Sequence, residues 1–242
     1  MSWIPNLLTG MNLFLGFWAI IQAIEGNILT ACWLVIAASV CDGLDGKLAR
    51  LMNRSTELGL ELDSLADVVS FGAAPGIILY VSFFQRLEFL GIVLAALPLI
   101  FGAIRLARYN LTAVPGEKKA SYVGLPIPMQ AGAVTTFIIF NYAIWGDLHL
   151  EVLLIPLVWL LCLLMVSHLP YDRIPRFSIK EVVKHPWRLI VIIGIVAVLA
   201  LKPAVAFFPI IFLYILRGMI MAVFRLAAAD DAEELDSELE VK

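Results

Sequence analysis

Phe89-Leu90-Gly91-Ile92-Val93-Leu94-Ala95-Ala96-Leu97-Pro98-Leu99-Ile100-Phe101-Gly102-Ala103-Ile104 runs without a single charged side chain. It lies in an apolar window at 88–107, and a helix needs about 20 mostly apolar residues to cross a bilayer. Comparable windows occur at 7–24, 28–48, 58–84, 128–146 and 150–167. The last apolar stretch, 189–224, is too long for one span, and Lys202-Pro203 divides it into two short helices. Eight spans result. Irregular backbone cannot face lipid, so the predicted fold class is all-α, a polytopic transmembrane helical bundle. Composition agrees: of 242 residues, 62% are hydrophobic and 15% charged, with a mean hydropathy of +0.94. A soluble domain runs near about 45–50% apolar and about 25% charged. That balance excludes a disordered chain, an ordinary water-soluble enzyme and a nucleic-acid binder.

Charge placement orients the bundle. One set of connections and adjoining helix ends carries Lys47, Arg50, Arg54, Arg105, Arg108, Lys118 and Lys119, then Arg173, Arg176, Lys180, Lys184, Arg188, Arg217, Arg225 and Lys242. These are 15 of the 17 basic residues, leaving only Arg86 and Lys202 for the opposite side. The positive-inside rule therefore puts both termini in the cytoplasm of a multi-pass protein of the cell membrane. Met1-Ser2-Trp3-Ile4-Pro5-Asn6 has no basic residue before the first apolar run, which argues against a cleavable signal peptide. The expected organisation is a core at 1–170, a basic cytoplasmic connection at 171–188, a further transmembrane hairpin at 189–225 and a disordered cytoplasmic tail at 226–242. Seven carboxylates and one lysine between Asp230 and Lys242 make that tail acidic. Cys32, Cys41 and Cys162 lie in apolar stretches without a CxxC pair and read as small packing residues.

Carboxylates are costly within a bilayer, and those that occur usually serve function. Here they concentrate in Cys41-Asp42-Gly43-Leu44-Asp45-Gly46-Lys47-Leu48-Ala49-Arg50 and Gly59-Leu60-Glu61-Leu62-Asp63-Ser64-Leu65-Ala66-Asp67. Asp42 and Asp45 are spaced i,i+3, and Asp63 and Asp67 i,i+4, so each pair shares a helix face. Asn53-Arg54-Ser55-Thr56 supplies the break, with Ser55 or Thr56 capping the next helix. Two antiparallel helices then gather four carboxylates at the cytoplasmic end of the bundle. Such a group must protonate or bind cations, and two divalent ions would balance four charges. All-oxygen ligands suit Mg²⁺, Mn²⁺ or Ca²⁺, and Mg²⁺ commonly completes its shell with substrate phosphates. Gly43, Gly46 and Gly59 allow close approach of a bulky ligand, Arg50 offers a fork for phosphate oxygens, and Thr56 stands at a helix start suited to an anion. The pattern asks for a diphosphate.

Asp42-x2-Asp45-Gly46-x2-Ala49-Arg50-x8-Gly59-x3-Asp63-x3-Asp67 resembles the signature of the CDP-alcohol phosphatidyltransferases at every fixed position. The resemblance implies a six-helix core over most of residues 1–170, and displacement of CMP from a CDP-linked lipid by an alcohol. It implies that Asp42, Asp45, Asp63 and Asp67 hold two metal ions, Mg²⁺ or Mn²⁺, and that Asp67 is also the general base. Gly46, Ala49, Arg50, Thr56 and Gly59 fall at motif positions associated with the CDP group. Pro5-Asn6-Leu7-Leu8-Thr9 resembles the family's amino-terminal motif, which makes Asn6 a further CDP candidate. A homodimer is also implied.

Three further stretches resemble the phosphatidylserine synthase branch of that family: Asp67-Val68-Val69-Ser70-Phe71-Gly72-Ala73-Ala74-Pro75, Arg105-Leu106-Ala107-Arg108-Tyr109-Asn110 and Gly124-Leu125-Pro126-Ile127-Pro128. This branch implies CDP-diacylglycerol, or an archaeal CDP-lipid, and L-serine as substrates. The serine carboxylate requires a cation, for which Arg105 and Arg108, spaced i,i+3, are candidates, with Asn110 as a hydrogen-bonding neighbour. Arg108 fits lipid-headgroup contact or positive-inside anchoring equally well. Glycerol 3-phosphate, inositol phosphate and choline are alternative acceptors within the family, the phosphorylated ones needing additional cations. A membrane prenyltransferase also holds a diphosphate through aspartates, but the Gly-x2-Ala-Arg insert counts against it. A divalent-cation transporter would carry its acidic site near the midplane between broken helices, away from an arginine.

Overall fold

The computed structural model describes residues 3–51, 57–112, 121–167, 170–172, 194, 198–199 and 201–240. Helix α1 (Trp3–Ile24) turns at Gly26, whose φ of +83° is a left-handed conformation suited to glycine, into α2 (Ile28–Leu51). The two pack along their lengths through small buried residues, among them Ala19, Ala23, Ala31, Cys32, Val35 and Ala38. Helix α3 (Glu57–Asp67) passes without interruption through a π-helical turn (Val68–Ala73) into α4 (Ala74–Ser82). A 3₁₀ turn at Phe84–Leu87 leads to α5 (Glu88–Thr112), and α6 (Ile127–Trp145) follows. A second 3₁₀ turn (Glu151–Leu153) opens α7 (Leu154–Val166), and α8 covers Pro203–Glu240. Among the described residues the bundle is all-helical apart from one short ladder. Ser121–Val123 (β1) pairs antiparallel with Pro170–Asp172 (β2), tying the approach to α6 to the segment after α7.

Among the described residues, six helices are long and apolar enough to cross a membrane: Asn6–Ile24, Ile28–Leu48, Leu58–Ser82, Phe84–Leu111, Ile127–Trp145 and Pro203–Met221. The shorter apolar helix Glu151–Val166 corresponds to the sixth predicted span. The predicted span before Lys202 falls mostly outside the described residues, as does most of the 171–188 connection. The chain is an integral membrane protein. Its outer surface agrees, because Phe14, Phe17, Trp18, Phe89, Trp159 and Leu213 are exposed and lipid is their natural solvent. Helix α8 continues through Glu240, into the segment expected to be a disordered tail. Ala227-Ala228-Ala229 and the following glutamates and leucines are strong helix formers.

Helix α6 is central, with every residue from 130 to 139 buried. Thr135 and Thr136 return their hydroxyls to the carbonyls of Ala131 and Gly132, at 2.8 and 2.6 Å, so burial leaves neither unsatisfied. Away from the carboxylates, Arg86 pairs with Glu151 at 2.8 Å and joins the two 3₁₀ turns. Nearer to them, α1 meets the π-helical turn at Gly16, where a Cβ would overlap Ser70. Gly16→Ala should therefore cost about 1–3 kcal/mol, the usual penalty for overpacking. Thermal unfolding of the purified protein in detergent measures it; an unchanged midpoint would mean that the contact does not constrain α1.

Candidate active site

The last turns of α2 carry Asp42 and Asp45, and α3 carries Asp63 and Asp67, as their spacing predicts. Carboxylate oxygens of Asp42, Asp63 and Asp67 all lie within 4.8 Å of one another. Asp45 stands outside that trio but within electrostatic range of all three. It is buried, and its Oδ2 accepts a hydrogen bond from Thr9 Oγ1 at 3.0 Å. Asp67, 7% exposed, accepts at Oδ1 from Asn12 Nδ2 at 3.3 Å. Asn12 is held in turn, since its backbone oxygen accepts from Ser70 Oγ at 2.9 Å. Thus α1 braces one carboxylate of each pair.

The donor set fits a divalent cation. Three carboxylates this close, in a site of restricted exposure, repel one another strongly unless a cation or protons intervene. Asp63 Oδ1 is buried and has no hydrogen-bond partner among the described residues, which suits a metal-ligand atom. Oxygen-only coordination selects hard ions of the Mg²⁺ and Mn²⁺ kind.

The other predicted residues are distributed around this cluster. Gly46 and Gly59 are half-buried on α2 and α3, Ala49 and Arg50 belong to the final turn of α2, and Asn6 is half-buried near the start of α1. Thr56 lies outside the described residues. Helix α5 runs antiparallel to α3 and α4, and two contacts set its register. Gly72 faces Leu99 closely enough for a Cβ to stand 3.1 Å from it, and Asn110 Nδ2 donates to Ser64 Oγ at 3.0 Å. Arg105 falls between those contacts, at the level of Asp67, and is buried at 8% exposure. Arg108 and Asn110 are exposed, and Arg108 donates from Nη1 to the carbonyl of Val166 at 3.0 Å, near the end of α7. That bond suits an arginine closing a helix C-terminus.

Thr9, Asn12 and Ser70 have no assigned role in the sequence reading, although they brace the carboxylates. Their signal was available: Thr9 and Asn12 are polar, spaced i,i+3, in the first half of a mostly apolar span, and intramembrane polar residues tend to face protein. What sequence cannot supply is their partners, which lie 36 and 55 residues away along the chain.

Fold and cluster together define a polytopic membrane protein with an acidic site, carried by α2 and α3, that could hold a metal ion. The family model for CDP-alcohol phosphatidyltransferase matches residues 2–166, and the chain belongs to that family. A CDP-diacylglycerol–serine O-phosphatidyltransferase of Helicobacter pylori strain J99 is 38% identical over 224 residues, covering 91% of each chain. An archaetidylserine synthase of Methanothermobacter thermautotrophicus is 32% identical over 173 residues, 71% of this chain and 70% of that one. A CDP-diacylglycerol–serine O-phosphatidyltransferase of Bacillus subtilis is 34% identical over 142 residues, 59% of this chain and 78% of its own.

Proposed function

We propose that this chain transfers a phosphatidyl group from CDP-diacylglycerol, or an archaeal CDP-lipid, to the hydroxyl of L-serine, giving phosphatidylserine and CMP. The observation that carries the reading is the convergence of Asp42, Asp63 and Asp67 beside Asp45, in the family's signature order. The four aspartates would hold two divalent ions, Mg²⁺ or Mn²⁺, which when bound offset diphosphate charge and make CMP a better leaving group. Asn6, Gly46, Ala49, Arg50, Thr56 and Gly59 bind the CDP moiety, the glycines by admitting it close to the backbone and Arg50 through phosphate oxygens. Asp67 accepts the proton from the serine hydroxyl. The serine oxygen bonds to the lipid-bearing phosphorus, the bond from that phosphorus to CMP breaks, and CMP departs with the electron pair.

Arg105 holds the serine carboxylate, with Arg108 and Asn110 nearer the entrance. Its burial at the level of Asp67 supports this role, because a buried guanidinium is strongly attractive to a small anion. Arg105→Ala should raise the serine KM by about 10–100-fold, the loss expected for a charge-assisted hydrogen bond, and leave the CDP-lipid KM much less affected. Equal rises would remove Arg105 from the serine site. The basic asymmetry of the connections supports a site and both termini on the cytoplasmic side, and the family resemblance supports a homodimer.

The test is CMP release by purified protein given CDP-diacylglycerol and Mg²⁺ or Mn²⁺, with serine, glycerol 3-phosphate and inositol phosphate offered separately. Serine alone should stimulate release. Stimulation by another alcohol would retain the metal site and overturn the serine assignment.

A further inference from the structure

Asn12 is fully buried, and its two amide atoms have different fates. An ionised carboxylate accepts hydrogen bonds and donates none, so the amide nitrogen must be the atom facing Asp67, as the 3.3 Å contact has it. This orientation gives the amide's donor to Asp67 and leaves its acceptor over. Oδ1 is buried with no hydrogen-bond partner among the described residues. A buried carbonyl oxygen without a donor is costly, and in a functional site it marks a place for a ligand's donor. The helix backbone that carries Asn12 is held in place. Ser70 bonds its backbone oxygen, and Gly16 one turn further on packs directly against Ser70.

We propose that Asn12 selects the acceptor, its amide nitrogen fixing Asp67 while its carbonyl oxygen receives the ammonium group of an incoming amino alcohol. The inference rests on the serine reading above. An amide oxygen beside a carboxylate cluster is a poor neighbour for a phosphate or carboxylate and a good one for an ammonium ion. In serine, the hydroxyl and ammonium groups are carried on adjacent carbons. A hydroxyl delivered to Asp67 therefore brings the ammonium within reach of the residue bonded to Asp67. The carboxylate end is left for Arg105, from α5. A zwitterion is thereby sorted by charge, and glycerol 3-phosphate, which has no ammonium group, gains nothing from Asn12.

The experiment compares steady-state CMP release by wild-type, Asn12→Leu, Asn12→Asp and Thr9→Val proteins, with serine, CDP-diacylglycerol and Mg²⁺ each titrated. Asn12→Leu removes both contacts and should raise the serine KM about tenfold or more, with a fall in kcat, while the CDP-lipid KM stays within about threefold. Asn12→Asp keeps an oxygen for the ammonium and loses the donor to Asp67, so kcat should fall while the serine KM stays within about threefold of wild type. Thr9→Val loosens Asp45 and should raise the Mg²⁺ requirement about tenfold, as loss of a metal ligand's hydrogen-bonding support does, without a selective serine effect.

Several results would overturn the proposal. An unchanged serine KM in Asn12→Leu removes the ammonium contact. Equal rises for serine and CDP-lipid reduce Asn12 to packing, and a Mg²⁺ requirement that rises more than the serine KM reassigns Oδ1 to the cation. Mg²⁺-dependent CDP binding confirms that each variant is folded. If Asn12→Leu fails that check, Asn12→Ala carries the same comparison. Wild-type protein without serine-dependent CMP release would defeat the serine reading itself, and a serine-active wild type with no selective variant effect defeats only the Asn12 inference.

Discussion

Asp67→Asn is expected to lower serine-dependent CMP release by about 10²–10⁴-fold, the usual contribution of a positioned general base. Asparagine keeps the size of the side chain but cannot take the hydroxyl proton, and it also weakens one ligand of the cation cluster. Binding of CDP-lipid should largely persist, because Asp42, Asp45 and Asp63 remain and the arginine and glycine positions are untouched. The structure gives a physical reason for choosing Asp67 over its neighbours. One of its oxygens is engaged by Asn12, leaving the other for chemistry, and Arg105 stands at the same level on α5. Activity within a few-fold of wild type would remove Asp67 as the base. Loss of CDP-lipid binding in parallel with turnover would instead make it chiefly a metal ligand.

Chelation should have an effect of the same order. With EDTA in excess, CMP release is expected to fall to the no-enzyme background, and Mg²⁺ or Mn²⁺ should restore it. The reason is electrostatic: a dianionic diphosphate cannot enter a site of clustered carboxylates unless cations stand between them. Asp63→Ala should shift the restoring Mg²⁺ concentration upward, since Asp63 Oδ1 is buried beside Asp42 and Asp67 and has no hydrogen-bond partner among the described residues. Full activity in EDTA would show that the carboxylates serve another purpose.

Much of this was readable from the chain because apolar helices make every charge conspicuous. The spacing of Asp42 with Asp45 and of Asp63 with Asp67 placed each pair on a helix face, and α2 and α3 carry them as expected. The break expected at Asn53–Thr56 lies outside the described residues, between α2, described to Leu51, and α3, described from Glu57. Other features left no comparable mark. Three-residue strands such as Ser121–Val123 and Pro170–Asp172 are too short for alternation to register, and their pairing joins segments far apart in sequence. The π-helical turn after Asp67 differs from an α-helix by one hydrogen-bond step and has no residue pattern of its own. Thr9 and Asn12 were visible as polar residues but not as braces, because a hydroxyl or amide in a membrane helix can also bond its own backbone, as Thr135 and Thr136 do. Arg105 and Arg108 show the same limit from the other side. They share a motif and a spacing, yet one is buried at the level of Asp67 and the other is exposed and bonded to the carbonyl of Val166.

The central claim is that one carboxylate cluster directs a phosphatidyl group from CDP to serine. It is tested most directly by supplying the purified protein, in vesicles containing CDP-diacylglycerol and Mg²⁺, with isotopically labelled L-serine and measuring labelled lipid and CMP in the same sample. The account predicts labelled phosphatidylserine and CMP in equal amounts, both abolished by EDTA. CMP without labelled lipid would make water or another alcohol the acceptor and contradict it.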